Sequence, residues 1–361
     1  MNPSASGLDN LVVADTMLSD VDGERGRLII RGFTVEELAG RATFEEVCGL
    51  LWNGTLAEKG ELDVLQAALA DARQRAFAML PALGDALRTP DSMEALRTAV
   101  GHLRAGKPED DRVRLTGAMV VFASAWWRLQ ANQPVVPPQP SLSHAADCLQ
   151  MLSGRPPDPA RVRALNSYFC TVVDHGLNAS TFAARVVAST GSDLVSAIVA
   201  AVGALKGPLH GGAPGPVLDM LDGVGDPTRA RAWLESELAA GRRIMGMGHR
   251  IYRVRDPRAA ALERAISVLQ QSGAGAERLT LARAVEREAE RILAERHPER
   301  ALRANVEFYT AVLLDAIGID RTLFSPMFAA SRVVGWSAHV EEQRRVGRLI
   351  RPGSKYVGAS A

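Results

Sequence analysis

Apolar residues recur at helical spacing in nearly every stretch of this chain between its glycine and proline breakers. In the stretch 280–296, TLARAVEREAERILAER, the apolar side chains gather near one face of a helix and the charges lie opposite. In the stretch 89–100, Asp91 is an N-cap candidate, and Glu94 follows at the spacing of a capping box. Strand signals are scarce, and the clearest is GRLIIRGF at 26–33. The pattern therefore predicts an almost entirely α-helical protein with one small strand or ribbon.

Length and breakers indicate how the helices are organised. A chain of 361 residues is long enough for two packed domains, and 47% hydrophobic residues is typical of a protein with a substantial core. Proline-rich stretches at 132–140 and 153–159 are expected to end helices, because proline lacks the amide hydrogen and clashes with the preceding turn. The polar segment 351–361 is expected to leave the last helix as an extended tail.

Charge and composition argue against several classes of function. The formal net charge is +1, from 42 basic and 41 acidic residues, so nucleic acid is not an expected partner, whereas small anions remain possible. The longest uncharged apolar runs, 117–127 and 194–205, are shorter than the roughly 20 residues of a membrane span, so we expect neither membrane insertion nor export. The cysteines are few and widely spaced, which predicts neither disulfides nor a metal cluster and fits a cytoplasmic location.

Two histidines lie in stretches that favour contact with a ligand. His175 precedes Asn178 by three residues and can share a helical face with it, although on this segment alone a core or capping histidine is the more common explanation. His210 lies between glycines in GPLHGGAPGPV (207–217), just before a predicted helix start at Pro214 or Gly215. The positive end of that helix would lower the histidine's pKa and favour a neutral imidazole as hydrogen-bond donor. The alternative is a glycine-rich loop with an incidental histidine, and no phosphate-loop pattern indicates nucleotide binding.

A third histidine, His249, is followed by several arginines in IMGMGHRIYRVRDPRA (244–259). A solvated basic face is the simpler explanation for such a run. The glycine turn before the run and Pro257 just before Arg258 instead favour a positioned guanidinium that binds a carboxylate through two hydrogen bonds. None of the histidines has the H-x-x-x-H or cysteine-partnered spacing of a metal ligand, so no metal is expected.

With these stretches in order, the sequence resembles the citrate synthase family over nearly its whole length. The resemblance begins at 14–56, continues through DHGLNASTFAAR, GPLHGG and GHRIYRVRDPRA, and ends with 305–319, 323–343 and IRPGSKYVG. It implies an all-α fold of two domains, the large one formed by 1–213 plus 319–361 and the small inserted one by 214–318. It also implies open and closed forms of the cleft, and the short homodimeric type of the family.

The activity that the resemblance implies is acyl transfer to a 2-oxo acid. An acyl-CoA, either acetyl-CoA or propionyl-CoA, condenses with oxaloacetate, and hydrolysis of the thioester then gives citrate or 2-methylcitrate and CoA. The CoA thioester is a substrate, so the resemblance implies no further cofactor. A catalytically impaired family member that binds a ligand or a partner is the alternative.

The resemblance also assigns catalytic residues. Glu307 falls at the position of the carboxylate base that removes a proton from the acyl carbon. His210 falls at the position of the donor to the thioester oxygen. His249 would polarise the oxaloacetate ketone and supply a proton as the new bond forms.

Further residues match the family's binding positions. His175 would bind oxaloacetate, and Arg258, Arg332 and Arg351 match the arginines that bind its carboxylates. Arg351 would reach into the neighbouring subunit's site, which makes the homodimer part of the expected site. Arg253 matches a position that binds a CoA phosphate in some members.

Three residues depart from the family pattern. Glu307 stands where the family usually has aspartate, and its extra methylene displaces the carboxylate by roughly 1 Å, a misplacement that can cost about a hundredfold in rate. Pro214 replaces an asparagine, which removes an amide side chain and a backbone donor. Gly176 replaces a common glutamate. The sequence therefore predicts an altered active site, and it does not determine which acyl-CoA and which 2-oxo acid the site prefers.

Overall fold

The structure is a computed structural model that describes residues 11–210, 214–271 and 276–359. Helices form most of this part of the chain, as the periodicity predicts. In chain order the α-helices are α1 Val35–Arg41, α2 Phe44–Asn53, α3 Lys59–Ala78, α4 Ser92–Gly101, α5 Pro108–Gln130, α6 His144–Ser153, α7 Pro159–Val172, α8 Ala179–Ser189, α9 Leu194–Leu205, α10 Pro214–Val224, α11 Ala230–Ala239, α12 Pro257–Gln270, α13 Ala276–Arg296, α14 Val306–Ala316 and α15 Phe324–Val346. The all-α fold class is confirmed.

The predicted ribbon near the beginning is a small antiparallel sheet. Its strands are β1 Ser19–Asp22, β2 Arg27–Ile30 and β3 Phe33–Thr34, and β2 pairs with both of the others. The β2 side chains of Leu28 and Ile30 are fully buried, so the hairpin of β1 and β2 is anchored in the core of the protein.

Local capping interactions start many of the helices where the sequence indicates. Asp91 caps α4, and its side chain accepts the backbone N–H of Glu94 at 2.8 Å, as predicted. The Glu94 side chain does not complete the capping box and instead forms an ion pair with Lys206 from the end of α9. Lys206 also lies 3.7 Å from the Asp91 carboxylate, so a long-range cation that the local pattern cannot show joins both acidic residues at this helix start.

The predicted amphipathic stretch and the breakers also match the structure. The apolar side chains of 280–296 form a buried face of α13. The proline-rich stretches lie in the connections between α5 and α6 and between α6 and α7. The described part of the C-terminal tail, 351–359, is exposed and contains neither helix nor strand.

Helix α15 is the central element around which the site is built. It is buried along nearly all of its length and packs against α5, α7, α8 and α9. Gly335 lies so close to the segment after α7 that a Cβ there would stand 2.4 Å from the carbonyl oxygen of Val173. This close approach brings α15 against the connection between α7 and α8. The division into domains at 214 and 318 stays a prediction.

Candidate active site

The connection between α7 and α8 holds His175. The expectation that His175 and Asn178 share a helical face is wrong, because both lie outside the helices. Gly176 has a φ of +57°, a left-handed conformation that interrupts a helix and that glycine adopts without strain. Asn178 is the N-cap of α8 and accepts the backbone N–H of Thr181 at 3.1 Å. His175 is therefore held in a turn between two helices.

Aromatic contacts bring His175 and His249 together, although the two histidines are far apart in the chain. Their ring centroids lie 5.6 Å apart in an edge-to-face arrangement. The Tyr252 hydroxyl forms a hydrogen bond of 3.1 Å with His175 Nε2, and its ring lies 4.7 Å from that of His249. Burial, followed by the charges of Arg258 and Arg332, lowers the pKa of His175 well below its usual range. His175 is therefore a neutral imidazole at pH 7.

His249 has a defined tautomer. Its Nδ1 accepts the backbone N–H groups of Ile251 at 3.0 Å and Tyr252 at 3.1 Å, so in the neutral ring the proton is on Nε2. That Nε2 faces Nη2 of Arg258 at 3.3 Å, which places two donors opposite each other. Burial and Arg258 lower the pKa of His249 to about 4, so it remains neutral at pH 7. An acceptor oxygen bound between the two donors would satisfy both.

His210 has the opposite tautomer. The backbone N–H of Ser180 donates to His210 Nε2 at 3.2 Å, and because this group can only donate, the ring proton is on Nδ1. Burial, followed by Arg332, lowers the pKa of His210 to about 4. The expected lowering is thus present, but the helix start that contacts the ring is that of α8 rather than α10. Helix α10 begins at Pro214 as predicted, and the glycines of 211–213 lie outside the described residues.

Arg258 is held rigidly at the start of α12. Asp256 caps this helix, and its two carboxylate oxygens accept from Arg258 Nε at 3.0 Å and Nη2 at 2.7 Å. Asp256 also accepts the backbone N–H of Val306 at 3.2 Å, so it joins the starts of α12 and α14. Burial opposes the charge of Arg258, but Asp256 outweighs it and raises the arginine's pKa. The predicted positioning of Arg258 is present, with Asp256 as its two-point partner in the unliganded protein.

Arg332 lies on α15, and one nitrogen of its guanidinium makes no hydrogen bond to the described residues. Its Nε donates to the carbonyl oxygen of Val172 at 2.7 Å, and its guanidinium lies 4.5 Å from the centre of the Phe328 ring. Its Nη2 is buried and has no hydrogen-bond partner among the described residues. Burial lowers the pKa of Arg332 to about 10, which still leaves a cation at pH 7. A buried guanidinium with an open donor is costly by itself and is suited to bind an anion.

Glu307 lies in the first turn of α14, where its backbone N–H donates to the Asn305 side chain at 3.0 Å. Among the described residues, no hydrogen-bond donor contacts its carboxylate. Burial raises the pKa of Glu307 to about 7, in spite of the opposing charges of Arg258 and Arg332. A carboxyl group with a pKa near neutrality can both accept and release a proton at physiological pH.

Three other residues that the sequence singles out are Gly176, which contacts β1, and Arg253 and Arg351, which are exposed. The backbone N–H of Gly176 donates to Ser19 Oγ at 2.9 Å, which ties the His175 turn to β1. Arg253, which follows Tyr252, and Arg351 both have exposed side chains. Their roles stay predictions.

Structure reveals site residues that the sequence reasoning missed. Tyr252 and Asp256 belong to the GHRIYRVRDPRA stretch, and the aspartate before Pro257 carries an N-cap signal that could have identified it. Tyr168, on α7, has a fully buried hydroxyl with no partner among the described residues. Its pKa is raised by burial and then by Glu307, which places it close to that carboxylate. Nothing in the helical pattern distinguishes Tyr168 from a core aromatic residue.

The comparison with known proteins decides the family. A family model described as citrate synthase, C-terminal domain, matches residues 7–353. The chain belongs to the citrate synthase family. Family membership makes the protein an enzyme of the acyltransferase class, and the comparisons give no support to a non-catalytic binding protein.

Relatives of both expected kinds are similar to this chain. A protein named citrate synthase from Haloferax volcanii is 37% identical over 370 residues, which cover 98% of this chain and 95% of the relative. A protein named 2-methylcitrate synthase from Mycobacterium tuberculosis is 36% identical over 363 residues, with 98% and 90% coverage. Similarity alone therefore does not separate the two activities.

Solved structures match the fold and one of them contains ligands. Citrate synthase from Thermotoga maritima has a TM-score of 0.87 at 34% identity and covers 99% of this chain and 96% of its own. Citrate synthase from Thermoplasma acidophilum, in a ternary complex with carboxymethyl coenzyme A and oxaloacetate, has a TM-score of 0.87 at 28% identity, with 99% and 97% coverage.

Two further observations concern membrane proteins and metal-binding proteins, two classes of protein that the sequence argues against. None of the helices in the described part of the chain is both long and apolar enough to cross a membrane. Among the same residues, no three histidine, cysteine or acidic side chains are grouped so that they could hold a metal ion. Cytoplasmic location and the lack of a metal stay predictions.

Proposed function

We propose that this protein condenses an acyl-CoA with oxaloacetate and then hydrolyses the resulting thioester, with Glu307, His210 and His249 as its catalytic residues. The observation that carries the proposal is a carboxyl group with a pKa near 7 among neutral histidines and two buried arginines. Claisen chemistry needs a carboxylate base, neutral donors for developing negative charge, and cations for a dicarboxylate. The site contains each of these groups.

The first step is removal of a proton from the acyl carbon next to the thioester carbonyl. The ionised Glu307 accepts this proton, and the electron pair moves to the thioester oxygen. His210 donates its Nδ1 proton in a hydrogen bond to that oxygen, because Ser180 occupies Nε2. Glu307 and His210 both lie close to Arg332, whose charge lowers the pKa of each. A neutral donor suits the enol or enolate because it stabilises the oxygen without the desolvation of a buried imidazolium.

The second step forms the carbon–carbon bond. The enol carbon attacks the ketone carbon of oxaloacetate, and the ketone oxygen becomes a hydroxyl. We place this oxygen between His249 Nε2 and Arg258 Nη2, the two donors that face each other at 3.3 Å. His249 supplies the proton as the oxygen accepts the electron pair, and the proton that Glu307 took from the acyl carbon then returns to the imidazole, so that both side chains regain their starting states. Water then adds to the thioester carbonyl, the carbon–sulfur bond breaks, and CoA leaves as a thiol.

Arginines bind the carboxylates of oxaloacetate in this proposal. Arg258 is fixed by Asp256, and Arg332 has an open buried donor, so both are in place before the substrate binds. His175 completes the pocket beside His249. Preorganised donors cost little rearrangement when the charge arrives.

A second subunit supplies the last arginine in this proposal. The tail that carries Arg351 is exposed, and exposed apolar side chains lie at the end of α15 and in the residues after it, namely Val346, Leu349, Tyr356 and Val357. A tail of this kind gains burial by lying on another copy of the chain. We therefore propose a homodimer in which Arg351 of the partner subunit completes the carboxylate pocket, and in which Arg253 contacts a CoA phosphate.

The test is release of free thiol by the purified protein with oxaloacetate and either acetyl-CoA or propionyl-CoA. One extra methyl group changes binding in a pocket by about 1–3 kcal/mol, so either substrate is compatible with the same residues. A strong preference identifies a citrate or a 2-methylcitrate synthase, and similar kcat/KM values identify a dual enzyme. A folded protein that binds oxaloacetate but releases no thiol from either substrate would refute the proposal.

A further inference from the structure

We propose that the N-terminal hairpin of β1 and β2 is a positioning element of the active site. In this proposal, Ser19 fixes the turn that carries His175, while Gly23 and Gly26 fix the segment that carries His249. The inference rests on the proposed function, because it gives the hairpin a part in the same reaction. The hairpin contacts both histidine segments, the first through Ser19 and the second through Gly23 and Gly26.

Ser19 contacts the His175 turn at residues on both sides of the histidine. Its hydroxyl donates to Asp174 Oδ2 at 2.5 Å and accepts the backbone N–H of Gly176 at 2.9 Å. Asp174 is fully buried, so this pair of bonds is shielded from water. One hydroxyl therefore fixes the backbone immediately before and after His175.

The carboxylate that Ser19 contacts is itself fixed to the centre of the protein. Arg185 donates to His339 Nδ1 at 3.0 Å, so the donor nitrogen of the His339 ring is Nε2. That Nε2 forms a hydrogen bond of 3.4 Å with Asp174 Oδ2 and lies 3.3 Å from Oδ1. Because His339 is a fully buried residue of α15, Asp174 gives Ser19 a rigid partner rather than a mobile one.

The other end of the hairpin lies against the His249 segment. The Gly23 carbonyl oxygen accepts the backbone N–H of Arg253 at 2.9 Å. A Cβ at Gly23 would stand 2.4 Å from the carbonyl oxygen of Ile251, a contact that folded proteins essentially never show. Ile251 is one of the two residues whose N–H groups bind His249 Nδ1. The missing side chain at Gly23 thus allows the approach on which the orientation of the His249 ring depends.

Gly26 makes a second close approach to the same segment. It has a φ of +61°, and a Cβ there would stand 2.5 Å from Cγ2 of Val254 and 3.3 Å from the carbonyl oxygen of Arg255. The turn of the hairpin is therefore shaped at two glycines to receive the residues that follow His249.

The hairpin is stiff enough to transmit these constraints. Ser19 pairs with Ile30 and Asp22 pairs with Arg27 in the antiparallel register, and Ile30 is fully buried. The distance between the hydroxyl at one end and the glycine turn at the other is thereby set by strand pairing. The hairpin holds the two histidine rings at their separation of 5.6 Å, and oxaloacetate binds to both rings in the proposed reaction.

Gly23→Ala tests this role. To reach the ordinary contact distance of 3.4 Å, the Ile251 carbonyl must move by 3.4 − 2.4, or about 1 Å. A misplacement of this size costs about a hundredfold in rate, so we expect kcat/KM for oxaloacetate to fall about a hundredfold. Gly32→Ala is the matched control, because Gly32 follows β2 in the same sheet and has no atom near its Cβ position. This control should keep the wild-type kcat/KM.

A second readout does not depend on turnover. The imidazole 15N resonances of His249, assigned with His249→Gln, should shift in Gly23→Ala and stay unchanged in Gly32→Ala. If Gly23→Ala keeps kcat/KM within threefold of wild type and leaves these resonances in place, the hairpin has no positioning role. If the wild-type protein releases no CoA at all, the proposed function fails, and the resonances still decide whether the hairpin orients His249.

Gly26→Ala replaces Gly23→Ala as the test if the first variant does not fold. Gly26 and Gly32 both have a positive φ, so alanine causes backbone strain at both, but only Gly26 contacts the His249 segment. We expect both variants to fold, with the lower melting temperature for Gly26→Ala because of its added contact with Val254, and a loss of at least tenfold in kcat/KM for Gly26→Ala alone. Equal activities of the two variants would overturn the inference.

Discussion

Shortening the proposed base is the sharpest perturbation of this site. Glu307→Asp removes one methylene, which withdraws the carboxylate by roughly 1 Å and should lower kcat/KM for the acyl-CoA about a hundredfold. The backbone of α14 leaves little room to compensate, because Val306 N–H is bound to Asp256 and Glu307 N–H is bound to Asn305. A shift of the backbone is therefore not expected to restore the position of the shortened carboxylate.

The assay is steady-state release of CoA thiol at saturating oxaloacetate, with thermal unfolding of each variant as the test of folding. Glu307→Gln is the matched control, since it keeps the length and removes the base, and loss of a general base typically costs about 10²–10⁴ in rate. The reasoning is refuted if Glu307→Asp turns over as fast as wild type, or if Glu307→Gln remains fully active. Activity in Glu307→Asp alone would mean that the natural protein is not built for turnover.

Three further predictions concern the dimer, a missed residue and pH. Arg351→Ala and Glu307→Gln subunits, each inactive alone, should regain about a quarter of the wild-type activity when they are mixed in equal amounts. Half of the dimers are then mixed, and in each mixed dimer one of the two sites combines an intact Glu307 with an intact Arg351 from the other subunit. No recovery of activity in mixed dimers would place Arg351 outside the partner's site. Tyr168→Phe removes a buried hydroxyl that has no partner among the described residues, so the free energy of unfolding should rise by about 1 kcal/mol. A lower stability would show that the hydroxyl makes a bond. Glu307 must be ionised to act as the base, so kcat/KM for oxaloacetate should decrease as pH falls through about 7. Bound oxaloacetate neutralises the arginine charges that lower the pKa of Glu307, so this pKa should be higher in the oxaloacetate complex. The decrease in kcat/KM for acyl-CoA, measured at saturating oxaloacetate, should therefore occur at a higher pH. Identical pH profiles would contradict this last prediction.

Local signals allowed much of the fold to be predicted from sequence. Asp91 caps its helix because the capping bond joins residues three apart, and the apolar face of α13 follows from a repeat within a single helix. The His175 turn could not be predicted in the same way, since a helical pattern runs through a segment that Gly176 interrupts. The turn is in contact with distant parts of the chain, since Gly335 of α15 lies against Val173 and Ser19 of β1 accepts the backbone N–H of Gly176.

The chemistry of the site depends on contacts between distant parts of the chain. The resemblance assigned His210 and His249, but their tautomers follow from the backbone N–H groups of Ser180, Ile251 and Tyr252. The first of these contacts joins residues 30 positions apart. No local pattern encodes which ring nitrogen such a contact occupies.

Burial, reinforced by two buried arginines, explains why the histidines of this site are neutral. Arg258 and Arg332 remain cations at pH 7, and their charges add to the effect of burial in lowering the pKa of His175. A protonated imidazole would be a further cation in the same pocket, so the arginines supply the permanent charge and the imidazoles supply hydrogen bonds. The same arginines attract the negative charge of the ionised Glu307. Its pKa of about 7 is the result of burial, which raises the pKa, and of this attraction, which lowers it. Loss of either guanidinium would therefore raise the pKa of Glu307 and withdraw the ionised base at neutral pH, even though neither arginine accepts the proton.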